Sequence, residues 1–267
     1  MKKSMFYLMM LVGTAGMMTA CQKDDTDFSA YINGSGTTDE NGEASDQPSI
    51  IYIAYSDAAV TVTGDTQGYV TTSGTDVTVN TGTDTDSLLL VLSGSASDGS
   101  LIIYRQKKYG IRLNGLTLTN ADGPAINNQC GKALFLEVIS GTTNTLADGT
   151  VYATQDYDQK GTLFSEGQIY FSGTGTLNVT GNYKHAIACD DYIVFDEATV
   201  TATTPTGSGI KVNDGLWIQG GSLNISSTAD GGRGIRCDST VIVKQSCNAF
   251  TRLSISHRLR LSVSNSI

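Results

Sequence analysis

The segments GNYKHAIACDDYIVF at 181–195, TPTGSGIKVNDGLWI at 204–218 and ADGGRGIRCDSTVIV at 229–243 write one pattern three times. Aligning Ile187, Ile210 and Ile235 gives steps of 23 and 25 residues. Asp190, Asn213 and Asp238 then share one column, and Asp191, Asp214 and Ser239 the next. A period of this size, made of short β-branched runs separated by Gly, Asn and Asp turns, is the mark of a solenoid whose coils stack. Stacked coils lie roughly 4.8 Å apart, so equivalent positions form files along the axis. The acidic columns are therefore expected to form a ladder down one side.

The composition agrees with an all-β chain. Thirty glycines, three prolines and one Trp in 267 residues leave little room for a helical bundle. Nothing between 50 and 244 breaks the rhythm enough to suggest a second domain, so 50–243 reads as one parallel β-helix, right-handed because parallel crossovers overwhelmingly are. A net charge of −9 disfavours nucleic acid as a partner and makes cations natural ones. A monomer is expected.

The two ends differ from the middle. Lys2 and Lys3, an apolar run from Met5 to Val12, and Met18-Thr19-Ala20-Cys21 make residues 1–20 a targeting segment. Small residues just before a cysteine resemble the bacterial lipobox, which implies cleavage before Cys21, acylation of its thiol and attachment to a membrane through that lipid alone. The following Gln22-Lys23-Asp24-Asp25 resembles the surface-export signal of Bacteroidetes-type lipoproteins, so the expected location is the outer membrane, facing outward. Residues 21–49 hold seven acidic residues and little apolar content, and read as a disordered acidic tether. In 244–267 Gly, Asp and Glu disappear while Arg252, Arg258 and Arg260 enter. Either the reading frame was lost near Lys244, or this tail is a divergent capping strand.

Within the β-helix, LNGLTL at 113–118 reads as two strands around an Asn-Gly corner. Residues 152–160, with Asp156 and Asp158, read as an excursion from the coil, and such loops carry recognition. Cys189 and Cys237 share one repeat position with Val212 between them. Two coils of separation, about 10 Å, exceed disulfide reach, so both are expected as small buried hydrophobes.

Four segments are specific when taken together: LNGLTLTNADGPAIN at 113–127, NTLADGT at 144–150, KGTLFSEGQIYFSGTGTLNVTGNYKHAIACDDYI at 160–193 and GLWIQGGSLNI at 215–225. They resemble the secreted carbohydrate-binding β-helix proteins whose founding member is a clostridial protein that binds polygalacturonate and cellulose. The resemblance implies a pectate-lyase-like parallel β-helix, calcium held by Asp-rich turns, and acidic-glycan binding without established catalysis. The family's Gly-Asp-Gly-Ile stands here as Lys184-His185-Ala186-Ile187, Gly207-Ser208-Gly209-Ile210 and Gly232-Arg233-Gly234-Ile235, without its Asp.

The chemistry open to these residues follows from their types. Calcium takes six to eight hard oxygen ligands, and Asp190, Asp191, Asn213, Asp214 and Asp238 offer them across adjacent coils. Asp and Asn also serve turns for their own sake, but stacked carboxylates repel unless a cation or proton intervenes. Tyr192 and Trp217 each precede an inward Ile and so present rings outward, where they can stack on sugars. Lys184, His185, Lys211 and Arg233 flank the aligned isoleucines and make a basic strip beside the acidic ladder, suited to a polyuronate. The reading is a non-catalytic surface lipoprotein that binds acidic or plant cell-wall polysaccharide. A structural or adhesive surface protein, and a calcium-dependent polysaccharide lyase with Arg233 or Lys211 as base, are the alternatives.

Overall fold

The computed structural model describes residues 48–84 and 86–244. The targeting segment, Cys21, nearly all of the tether and the tail beyond Lys244 lie outside the described residues. The described residues open with β1 (Ser49–Tyr55), β2 (Val60–Thr63), β3 (Val70–Ser73) and β4 (Asp76–Asn80), followed by β5 (Leu88–Ala96), β6 (Ser100–Tyr104) and β7 (Tyr109–Asn120). Three-strand coils then repeat. They are β8 (Ile126–Asn128), β9 (Leu134–Val138) and β10 (Thr143–Asp148); β11 (Gly161–Ser165), β12 (Ile169–Ser172) and β13 (Thr176–Thr180); β14 (His185–Cys189), β15 (Tyr192–Phe195) and β16 (Thr199–Thr204). The described chain ends with β17 (Ser208–Val212), β18 (Gly215–Ile218) and β19 (Ser222–Ser227), then β20 (Arg233–Cys237) and β21 (Thr240–Val243).

These strands stack in parallel as an all-β solenoid of about seven turns. One face runs β6, β8, β11, β14, β17, β20; a second runs β9, β12, β15, β18, β21; a third runs β10, β13, β16, β19. We call them the β14, β15 and β16 faces. The last two are joined through β7, whose first half pairs with β9 and whose second half pairs with β10. The bend falls at the expected Asn-Gly corner, where Gly115 has φ of +73°, a conformation that favours glycine over any residue with a Cβ.

Ile187, Ile210 and Ile235 are register partners, as the repeat predicts. All three are buried, and Cys189, Val212 and Cys237 continue as a second buried column of the same face. The cysteines are free thiols. Burial drives the Cys189 thiol up to about 12, so it stays protonated and inert. Elsewhere the interior is filled by stacks such as Phe171 on Phe195, with centroids 4.5 Å apart and planes 11° apart. Parallel stacking reaches β1 and β4, which pair with β5 and β6, but not β2 and β3. There β2 pairs antiparallel with β1, and β3 antiparallel with β4, placing hairpins against the first coil's strands.

Candidate functional site

The site begins at the residue after each strand of the β14 face. Glu166 N donates to Asn128 O at 2.9 Å, Asp190 N to Ser165 O at 3.0 Å, Asn213 N to Cys189 O at 3.2 Å and Asp238 N to Val212 O at 3.1 Å. These four residues therefore occupy one corner position in four successive coils. The expected file of Asp190, Asn213 and Asp238 is present, and it extends one coil back to Glu166. That extension was readable in the sequence, because Glu166 follows Ser165 as Asp190 follows Cys189, with Leu163 and Ile187 in register.

Two lysines neutralise the file. Lys211 Nζ donates to Asn213 Oδ1 at 2.6 Å and Asp238 Oδ2 at 2.7 Å, and this contact holds the Asp238 carboxyl below its usual range. Lys160 Nζ bridges Asp158 and Asp190. Burial pulls the Lys160 ammonium down, but the two carboxylates outweigh it and raise its pKa. Asn213 Nδ2 lies 3.4 Å from Asp190 Oδ1. Asp191 has another partner: Gln168 Nε2 donates to it, and its carboxyl is raised by burial and then by the Asp214 charge.

The loop at 149–160 completes the site by folding across the β14 face. Asp148 anchors it, accepting hydrogen bonds from the Tyr152 hydroxyl and from Asn182 N. Asn127 Nδ2 and Gln129 Nε2 both donate to Asp158 O, at 3.2 and 3.0 Å. Beneath it Phe164, although its register partner is Ala188 in the outward column, is fully buried, with Lys160 Nζ 5.3 Å from its ring centre. The same column continues to Lys211 and Arg236. Ala188 is its short member, and a cleft of about 260 Å³ opens over it, lined by Lys160, Lys184, His185, Ala188, Asp190, Lys211, Asn213 and Asp238.

Six residues singled out in the sequence, Asp190, Asn213, Asp238, Lys184, His185 and Lys211, thus meet in one cleft. The others do not. Arg233 pairs with Ser208 one coil beyond His185 and is not among the cleft's lining residues. His185 supplies no charge near neutrality, which corrects its place in a basic strip. Burial takes its pKa down to about 4, with Lys211, Arg236 and Lys184 repelling the proton further, and Nδ1 accepts a hydrogen bond from Ser208 N at 2.8 Å. Tyr192 and Trp217 lie on the β15 face, as an edge-to-face pair with centroids 5.3 Å apart.

One group of carboxylates that could take a calcium ion lies only partly among the five residues expected. One oxygen each from Asp158, Glu166 and Asp190 all lie within 4.8 Å of one another. Three hard carboxylate oxygens suit that ion, and burial together with the Asp190 charge already raises the Glu166 carboxyl. Lys160 is the group that would compete. Of the predicted set only Asp190 belongs to this trio. Asp158 was visible as a loop acid, but its landing place depends on the excursion.

The family model described as "Carbohydrate-binding domain-containing protein" matches residues 73–245, more than half of the chain. The chain belongs to this family. Among solved structures it is similar to the polysaccharide lyase-like protein from C. thermocellum, in a gadolinium derivative. The TM-score is 0.58 at 19 % identity, covering 80 % of this chain and 91 % of that one. At that identity the likeness is one of fold. No curated protein matches the chain.

Proposed function

We propose that this carbohydrate-binding β-helix is non-catalytic and holds an acidic, polygalacturonate-like polysaccharide along its β14 face. The observation that carries the reading is the cleft over Ala188, where Lys160, Lys184 and Lys211 converge from the loop and from successive coils. Its three ammonium groups face two carboxylates, Asp190 and Asp238, beside a neutral His185. In a chain of net charge −9, three converging ammonium groups are the local positive charge that a polyanion requires, with Asp158 and Glu166 behind Lys160 left for calcium to offset. Lys184 is exposed and donates to Gln159 O at 3.1 Å, so a uronate carboxylate exchanges only one backbone contact to reach it.

Calcium belongs to this reading, with Asp158, Glu166 and Asp190 as the residues that would hold it. Bound there, it supplies positive charge and open coordination positions for uronate carboxylates. Lys160 balances the same carboxylates in its absence. Lys211 is committed to Asn213 and Asp238, and Arg233 stands outside the cleft, an arrangement that favours binding over proton abstraction. The lipobox at Met18-Thr19-Ala20-Cys21 completes the proposal, with the domain tethered to the outer surface by an acyl chain on Cys21. Metabolic labelling with a radioactive fatty acid should mark the wild type and not Cys21→Ser.

Calorimetric titration with polygalacturonate, with and without a chelator, tests the cleft. Lys184→Ala is expected to weaken binding about tenfold or more, the scale of a charge-assisted hydrogen bond, and Lys211→Ala by less, because Asn213 and Asp238 already hold that ammonium and the variant removes only its charge from the cleft. Chelation should weaken the wild type as well. Unchanged affinity in both lysine variants would remove the cleft, and unsaturated uronate absorbance appearing in the mixture would make the protein a lyase.

A further inference from the structure

Lys160 lines the cleft, yet its charge is already taken up. Its Nζ bridges Asp158 of the loop and Asp190 at the corner after β14, two of the three carboxylates whose oxygens lie within 4.8 Å of one another. The third, Glu166, has no ion-pair partner among the described residues. Three carboxylates thus share one ammonium, which leaves the trio net negative and open to a stronger cation. None of them is buried: Asp158 is exposed, and Glu166 and Asp190 are partly so.

Calcium approaches carboxylate oxygens to about 2.3–2.6 Å and gathers six to eight oxygens in all. An ammonium that hydrogen-bonds two of those carboxylates sits where such an ion has to sit, and two cations held that close repel each other. The Lys160 bridge and a bound ion therefore exclude one another. The displaced ammonium has little distance to cover. Lys160 is the last residue of the loop before β11, its Nζ lies 5.3 Å from the Phe164 ring centre, and its neighbour in the cleft lining is Lys184. A flexible four-carbon stem redirects the charge without a change in the backbone.

We infer that Lys160 is a displaceable internal cation, which gives up Asp158 and Asp190 to a calcium ion and turns its ammonium into the cleft to meet an anionic ligand. This rests on the reading proposed above and adds the link between its two parts, because Lys160 cannot hold its own carboxylates and a uronate at once. The cleft then gains positive charge twice, from the ion and from the ammonium it releases. By linkage, a ligand that captures Lys160 tightens calcium binding by the factor that calcium tightens the ligand's.

The test uses calcium chloride alone, with no glycan present. In calorimetric titration Lys160→Met should bind calcium about three- to tenfold more tightly than the wild type, since the ion pairs it removes are partly exposed and individually weak. Lys160→Arg, which keeps a competing cation, should bind no more tightly than the wild type. A second readout follows the ammonium itself. Acetylation by a water-soluble succinimidyl ester, mapped by mass spectrometry, should mark Lys160 of the wild type faster with calcium than with chelator. Lys211, held by Asn213 and Asp238 in both states, should label equally in the two. Glu166→Gln withdraws a calcium ligand and spares both ion pairs of Lys160, so it should abolish the calcium-dependent rise. Calcium affinity unchanged or lowered in Lys160→Met, Lys160 labelling indifferent to calcium, or a rise that persists in Glu166→Gln would overturn the inference. The glycan reading falls separately, on unchanged polygalacturonate affinity in the Lys184 and Lys211 variants.

Discussion

Lys211 and His185 show how side-chain reach decides what a register leaves open. The file of Asp190, Asn213 and Asp238 was legible because corner positions follow from the spacing of the isoleucines. That Lys211 would turn its ammonium into the file was not, since a four-carbon stem can reach several neighbours from one backbone position. His185 was legible as a neighbour of the strip but not as a half-buried, neutral acceptor, because its burial depends on the next coil. Its lowered pKa has a sign that can be checked. The unfolded chain takes up the proton near 6.5 and the folded one only near 4, so the stability His185 contributes is present above about pH 6.5 and is lost as pH falls toward 4. The gap corresponds to up to about 3 kcal/mol. His185→Asn, which keeps an acceptor for Ser208 N, is expected to flatten the urea-denaturation stability profile over that interval; an unchanged slope would show that other groups produce it.

At the scale of elements, the excursion matters more than any strand. Its existence was readable from a stretch that breaks the coil rhythm around Asp156 and Asp158, whereas its docking was not, being fixed by contacts distant in sequence. Asp148 holds the loop through the Tyr152 hydroxyl and Asn182 N, and Tyr152 packs on Tyr183 with ring centres 4.4 Å apart. Asp148→Ala leaves both donors without their acceptor. It is expected to cost about 2 kcal/mol and to raise amide hydrogen exchange across 150–160 and at Phe164, which the loop covers. Protection as high as in the wild type would mean that the loop is held by other contacts. The same variant should weaken polygalacturonate binding, because Lys160 reaches the cleft from this loop.

For the whole molecule, the repeat step carried the parallel stack and the inward columns from sequence to structure. What it could not carry is the antiparallel pairing of β2 and β3, because β2 alternates Val and Thr much as a parallel strand does and β3, Val-Thr-Thr-Ser, offers a single apolar residue. Nor did it separate the faces by function: Tyr192 and Trp217 lie close in sequence to Asp191 and Asn213 yet belong to another sheet. This separation leaves one acidic molecule with a cationic cleft on one face and an aromatic file on another. Binding to the cleft should therefore weaken with added salt, as screening shortens the range of its charges. The most direct measurement compares affinity for polygalacturonate with that for the same polymer fully methyl-esterified, which keeps the backbone and removes the charge. Tight binding of the acid form and loss of it in the ester is the predicted result, and equal affinity for both would contradict a site built on Lys160, Lys184 and Lys211.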